Sequence, residues 1–444
     1  MSYQLHDVET RANMVQMSNP YPKRLSTESS LYQLVIKMYE NIKNNPQSEA
    51  DFRDAIRENL AEVRGIHQDR IFFGKSTTAT TNLVLRYLKS KWLEKSDTAT
   101  QTANPTVYAP SPTYKATLTD LQKSQWDVTE FDYTIPDLYT EPFIDSFLAE
   151  IQKNQPHVVM LANPNNPTGA FFEVQDIARI CEAVNQYGGY VVVDEAYLRA
   201  VDPYGLSSAV QLLKNDTAGN PENIIILESA HKNIPTHLSV PNEEEAHYSS
   251  NSHKMALVFG TEGIINDLKN LVEGIKESGE DEAFIKSITP SPEGILILQL
   301  AILEQDHWQC VAELLSYQIT HVLTQLQQMA DKVNGETTDV SPAILLPKES
   351  KNGVFVTGVH KSLVQKVLER VMVGSNISAT FAEALQQRGV KVQPELKDHP
   401  LATVYEFIRI VVQDEEQNTA FLQAMSALLL VEMIDLSSDL GGLD

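Results

Sequence analysis

The chain has 444 residues, 42% of them hydrophobic and 21% charged, enough for a large core in two or three lobes. Its formal net charge of −24 argues against nucleic acid and anionic membrane as partners, and is compatible with a cationic small-molecule substrate. Two cysteines, Cys181 and Cys310, exclude a disulfide framework, and no apolar run is long enough to span a bilayer. The N-terminal MSYQLHDVETRANMVQ lacks a basic-then-apolar leader pattern, so a reducing, cytoplasmic compartment is expected.

Residues 1–30 are polar and irregular. Helical spacing over 31–62 (Leu31, Leu34, Val35, Met38, then Phe52, Ala55, Ile56, Leu60) is interrupted at Asn44-Asn45-Pro46-Gln47. Ile71-Phe72-Phe73 reads as a strand. It leads through Gly74-Lys75-Ser76-Thr77-Thr78 into a helix carrying Ala79, Leu83, Val84 and Tyr87. Small hydroxyl residues at a helix N-terminus make an anion cradle, because backbone N–H groups and the helix dipole point the same way. Ser76, Thr77 and Thr78 are the candidates; plain N-capping is the competing explanation. Val107-Tyr108-Ala109 is a further strand, ending in Pro110-Ser111-Pro112-Thr113-Tyr114, and 136–155 reads as a crossover helix.

The most informative stretch runs from Val158 to Tyr197. An apolar strand, Val158-Val159-Met160-Leu161, enters a turn of Asn, Pro and Gly. A helix follows, with Ile177, Ile180, Cys181, Ala183 and Val184 on one face. A second apolar strand, Tyr190-Val191-Val192-Val193, then ends in Asp194-Glu195. This is a βαβ unit of a parallel sheet covered on both faces, and ligands bind where such strands end. Pro164 and Pro167 stiffen the turn, so Asn165 and Asn166 are held with an amide to offer a ligand oxygen. A carboxylate ending a buried strand needs a buried cation, such as a protonated ring nitrogen, and Tyr197 can point its phenol into the same space.

Asn223–Leu227 is the next strand, followed by Ser229-Ala230-His231-Lys232. A polar stretch, 234–253, precedes Lys254-Met255-Ala256-Leu257-Val258-Phe259-Gly260. It holds His237, Glu243, Glu244, Glu245, His247 and His253, spaced too irregularly for a metal site, so a solvated lid is expected and no metal. Long helices are expected over 262–334. Strands at 353–356, 390–392 and 405–412 then alternate with helices at 378–387 and 417–432, before an acidic tail at 435–444. Arg409 stands alone among apolar neighbours in the 405–412 strand, and a buried Arg demands an anion.

Asn163-Pro164-Asn165-Asn166-Pro167-Thr168-Gly169, Asp194-Glu195-Ala196-Tyr197 and the later S-x-x-K of Ser229–Lys232 stand in one order. They resemble the motifs of the fold-type-I pyridoxal phosphate (PLP) enzymes, the aspartate aminotransferase superfamily. The nearest branch is class I/II, which includes the histidinol-phosphate aminotransferases. The resemblance covers roughly Asn19 to Leu430. It implies an α/β fold, with a mostly parallel, doubly wound sheet in a large PLP-binding domain (48–310). A smaller α/β domain would come from 1–47 and 311–444, in a homodimer.

The resemblance also implies roles. Lys232 would carry the cofactor as an internal imine and later move the α-proton. Asp194 would keep the pyridine nitrogen protonated, Asn166 and Tyr197 would bond the ring oxygen, and Tyr114 would stack on the ring. Ser76, Thr77, Thr78 and Ser229 would hold the phosphate, with Lys254 where relatives carry an Arg. Arg409 would fork onto the substrate carboxylate, and Asn19 lies in the segment that crosses the substrate site. The chain departs from the family at Asn45, where relatives often have a Tyr reaching the partner's phosphate, and at Lys254 with the preceding insertion. Lys254 also follows a Ser-His pair and is the rival for the imine. The activity implied is an aminotransferase acting on a free amino acid. The alternatives are a PLP-dependent lyase, cyclase, decarboxylase or oxidase of a specialised amino acid, or a non-catalytic binding or regulatory protein retaining the fold.

Overall fold

The structure is a computed structural model. It describes residues 15–16, 46–95, 104–133, 137–138, 140–214, 221–230, 254–279, 281–291, 294–295, 298–299, 302, 305–334, 342–347, 350, 354–371, 380–397, 400–412 and 415–429. Asn19, Asn45, Lys232, the 234–253 insertion and the acidic tail lie outside the described residues.

Among the described residues, seven strands form the main sheet: β2 (Ile71–Gly74), β3 (Thr106–Ser111), β4 (Asp127–Asp132), β5 (Val158–Ala162), β6 (Tyr190–Glu195), β7 (Ile224–Ser229) and β8 (Ala256–Phe259). Their order is β2-β8-β7-β6-β5-β3-β4. Strands β4, β3, β5, β6 and β7 run parallel; β8 is antiparallel to both β7 and β2. The sheet is thus mostly parallel and doubly wound, as the sequence predicts.

The chain winds outward from β3 to the edge strand β4, then returns beside β3 and proceeds through β5, β6 and β7. The reversal creates a switch point between the carboxyl ends of β3 and β5, where open α/β sheets bind ligands. Register brings Ala162 opposite Asp194, Asp194 opposite Leu227 and Ser229 opposite Ala256, so these residues form a row across one end of the sheet.

Both sheet faces are covered. Alternate side chains of β5, β6 and β7 (Val159, Leu161, Val191, Val193, Ile224, Ile226) pack on one side with α1 (Pro46–Arg64), α4 (Glu141–Asn154) and α5 (Val174–Asn185). The others (Val158, Met160, Val192, Ile225, Leu227) pack with α2 (Thr77–Lys95) and α6 (Glu262–Ser278). This two-sided burial is why the strands read as continuous apolar runs. The break expected at 44–47 is instead the start of α1: Pro46 opens the helix, where its missing N–H costs nothing. Helix α3 (Lys115–Lys123) and β4 were not predicted.

Helix α7 (Glu282–Ile288) follows α6, and the long α8 (Gln305–Asn334) leads to a second sheet. This sheet is antiparallel, in the order β12-β13-β10-β9, from β9 (Ile344–Leu345), β10 (Val354–His360), β12 (Gln393–Glu395) and β13 (Tyr405–Val411). It shares a core with α8, α9 (Lys361–Val371), α10 (Phe381–Gln387) and α11 (Glu415–Leu429). The short β1 (Val15–Gln16) pairs in parallel with β11 (Val390–Lys391), so the N-terminal segment joins this second lobe.

Candidate active site

Most site residues follow the end of a strand; Lys254 precedes β8 and Arg409 lies within β13. Strand β2 passes into α2 through Gly74, where a Cβ would lie 2.1 Å from the Thr80 hydroxyl; only glycine permits so close an approach. The turn sets Ser76 at the head of α2, its Oγ accepting the Ala79 N–H at 3.2 Å. Ser76 therefore caps the helix, as the competing reading held, and its hydroxyl still has a proton to donate. Thr77 and Thr78 form the first turn, and Thr81, one turn on, donates to the Thr77 carbonyl.

The turn after β5 is tied down by its own asparagines. Asn163 is fully buried and exchanges two hydrogen bonds with the Phe172 backbone, at 3.0 and 2.7 Å. Asn165 is fully buried too. It accepts from the Thr113 hydroxyl at 3.0 Å and donates to the Pro112 carbonyl at 2.7 Å, which clamps the β5 turn to the β3 turn across the switch point. The neighbours divide the work: Asn165 holds the two turns together, and Asn166 faces the cavity.

That cavity has a volume of about 230 Å³. Ser76, Thr77, Thr78, Tyr114, Asn166, Asp194, Tyr197 and Lys254, all proposed from sequence, line it, together with Thr81, Thr117, Ala162 and Pro164. The lining includes hydroxyls at a helix N-terminus and one ammonium, a setting for a phosphate. Asp194 ends β6, and its Oδ1 accepts the Ala196 N–H at 2.9 Å. Tyr197 hydrogen-bonds with the Arg409 guanidinium. Burial raises the Tyr197 hydroxyl above its usual range and Asp194 adds to this, while Arg409 opposes it, so the group stays a phenol and a donor at neutral pH. Tyr114 heads α3 at the rim, 46% exposed, where a flat ligand would cover it. Ser229 is fully buried at the end of β7.

The residues fit PLP chemically: an anion cradle at one end, a strand-end carboxylate, two hydrogen-bonding groups and an aromatic at the rim. Among the described residues, no group of three or more His, Cys, Asp or Glu is arranged for a metal. Thr81 and Thr117 were missed. Each stands three or four residues along a helix from a residue that was found, a spacing that returns to the same face. A buried charge cluster on the opposite sheet face (Arg64, Glu195, Arg199, Glu228) was missed entirely.

Comparison with known proteins agrees. Residues 34–234 match the family described as aminotransferase class I and II. The histidinol-phosphate aminotransferase of Thermoanaerobacter sp. (strain X514) is 26% identical over 231 residues, covering 52% of this chain and 57% of that protein. The chain thus spans little more than half the length of this curated relative. Among solved structures, N-succinyldiaminopimelate aminotransferase from Mycobacterium tuberculosis superposes with a TM-score of 0.62 at 13% identity, covering 96% of each chain. Histidinol-phosphate aminotransferase from Sinorhizobium meliloti, solved in complex with pyridoxal-5'-phosphate, gives 0.57 at 14% identity, covering 97% of this chain and 95% of that one. The fold is that of the fold-type-I enzymes. The family match spans the sheet as far as β7 and its turns, so over this region the chain is similar to the class I and II aminotransferases.

Proposed function

We propose that this protein is a PLP-dependent enzyme that acts on a free α-amino acid, as an aminotransferase exchanging the amino group with a 2-oxo acid. The observation that carries the reading is the convergence of five separated segments (76–81, 114–117, 162–166, 194–197 and 254) on one small cavity whose lining holds a lysine, several hydroxyls and an acidic strand end.

When bound, PLP condenses with amines and draws electrons from the Cα–H bond through a protonated pyridine ring. The chain supplies the rest. Ser76, Thr77 and Thr78, the α2 N-terminus and Lys254 bind the phosphate; Ser229, buried at the end of β7, is assigned there as well. Lys254 acts as a point charge where a fork would be an Arg's contribution. Asp194 holds a proton on the ring nitrogen by charge. Asn166 and Tyr197 donate to the ring oxygen, and Tyr114 covers the ring face against water. Arg409 orients the substrate carboxylate with a fork already turned toward Tyr197. Asn19 is assigned to the substrate side. Lys232 lies three residues beyond the buried Ser229, and its amine is assigned to attachment and to proton transfer at Cα.

A homodimer, a cytoplasmic setting, and a large domain over 48–310 with a small one from 1–47 and 311–444 belong to the same proposal. The low cysteine count supports the setting.

The test is an amino-acid panel offered to the PLP-loaded protein with and without a 2-oxo acid, products being identified by mass. Amino transfer that requires the 2-oxo acid is expected, with basic amino acids turned over faster than acidic ones. Release of ammonia, carbon dioxide or hydrogen peroxide without an acceptor would defeat the aminotransferase reading.

A further inference from the structure

Strands β6 and β7 each end in two polar residues, and successive side chains on a strand face opposite ways. Val192, Ile225 and Leu227 pack with α2, which sends Asp194 and Ser229 to the same face, that of the cavity. Val193 and Ile226 pack on the other side, so Glu195 and Glu228 point into the core beneath α1. Register sets Glu195 directly opposite Glu228, and both are fully buried. Two acids facing each other across a ladder repel, and an apolar pair there would be less costly.

The surrounding groups explain how the acids are tolerated. Arg64, the last residue of α1, sets Nη2 against both Glu228 carboxylate oxygens at 2.7 and 2.8 Å and donates from Nη1 to the Tyr204 carbonyl at 3.2 Å. Arg199 Nε lies 3.9 Å from Glu228, and Asp202 is the remaining charge near Arg199. Glu195 accepts from the Ser208 hydroxyl at 2.5 Å and the Ala209 N–H at 2.7 Å. Burial and the Glu228 charge push its carboxyl up to about 8. With that proton in place, two guanidiniums face two carboxylates and the cluster is neutral. The chain makes room for it: Gly205 has φ +67°, and a Cβ there would sit 1.4 Å from Arg64 Nη1.

Every member of this cluster grips a segment that carries a cavity residue. Glu195 follows Asp194, Glu228 precedes Ser229, and Arg64, Arg199 and Ser208 hold the loop that leaves Tyr197. We propose that Arg64 and Glu228 are positioning residues, a buried ion pair on the far face of the sheet that fixes Asp194 and Tyr197 in the cavity lining and Ser229 at the end of β7. This rests on the cofactor reading above.

The test compares wild type, Arg64→Met/Glu228→Met and Arg64→Lys. The double variant replaces the pair by apolar side chains and leaves no unpaired charge; Arg64→Lys keeps the charge and loses the second nitrogen that reaches the Tyr204 carbonyl. Circular dichroism confirms folding, then PLP affinity and the pH midpoint of the bound cofactor's absorption band are measured. The double variant is expected to bind PLP about tenfold or more weakly with a displaced midpoint, because small misplacements of polar groups are costly. Arg64→Lys should move both in the same direction by less, and it serves alone if the double variant fails to fold. Folded variants with wild-type affinity and midpoint would show that the pair only fastens the fold. Wild type that gives no band with PLP would overturn the cofactor reading and this inference together.

Discussion

Replacing Glu195 by Gln should remove a pH dependence from the stability of the apoprotein. Glu195 is fully buried, opposite Glu228, and its carboxyl is pushed from the ordinary 4.5 up to about 8, first by burial and then by the Glu228 charge. Between those values the folded chain holds a proton that the unfolded chain has released. Folding therefore binds protons, and stability falls as pH rises through the window, by at most about 1.4 kcal/mol per pH unit. The contribution is fully present below about 4.5 and lost above about 8. Summed over the window, this is on the order of a few kcal/mol. Gln stays neutral throughout, can still accept the Ala209 N–H, and offers its amide to the Ser208 hydroxyl. Arg64, Arg199, Asp202, Glu228 and Asp194 are present in both chains, so their own titration largely cancels in the difference. The assay is urea unfolding of wild type and Glu195→Gln at pH 5.5, 7 and 8.5. The variant is expected to be equal or slightly less stable at pH 5.5, and to gain on wild type at each step upward. A difference that stays constant across the three pH values would refute the reasoning.

Lys254→Gln is expected to weaken PLP binding about tenfold to a hundredfold, since a hydrogen bond to a charged group contributes about 1.5–3 kcal/mol. It should leave the affinity for pyridoxal, which lacks the phosphate, unchanged. Equilibrium titrations of both ligands check this, and equal losses for the two would remove Lys254 from the phosphate. Arg409→Met should raise KM for the amino acid by about a hundredfold with little change in PLP affinity, the fork to a carboxylate being lost; steady-state kinetics decide. Phe143, fully buried against Phe147, Phe172 and Tyr133, should cost about 3–5 kcal/mol when cut to Ala, with the loss seen in urea unfolding.

Much of the fold is written in periodicity. Strands β5, β6 and β7 are apolar on both faces because helices cover both, so they stand out as unbroken runs. Strand β4 does not. Its DVTEFD is half-exposed at the sheet edge, and charged residues that discourage edge pairing also hide the strand. Helix α9 carries Leu363, Val364, Val367 and Leu368 on its buried face, a helical spacing present in the sequence. The cavity residues were readable because they cluster where apolar runs stop. The opposite cluster was not. Arg64, Arg199 and Glu228 sit 135 and 29 positions apart (199 − 64, 228 − 199), and nothing local marks a charge as buried. Glu195 and Glu228 stood in plain view beside Asp194 and Ser229. Their meaning depended on strand register, which a single sequence does not fix.

The proposed function assigns the cofactor to one lysine amine, that of Lys232, three residues beyond Ser229. Reducing the PLP-loaded protein with borohydride, digesting it and sequencing the labelled peptide by mass spectrometry tests this directly. The label is expected on Lys232. A label on Lys254, or a protein that takes up no label at all, would contradict the account.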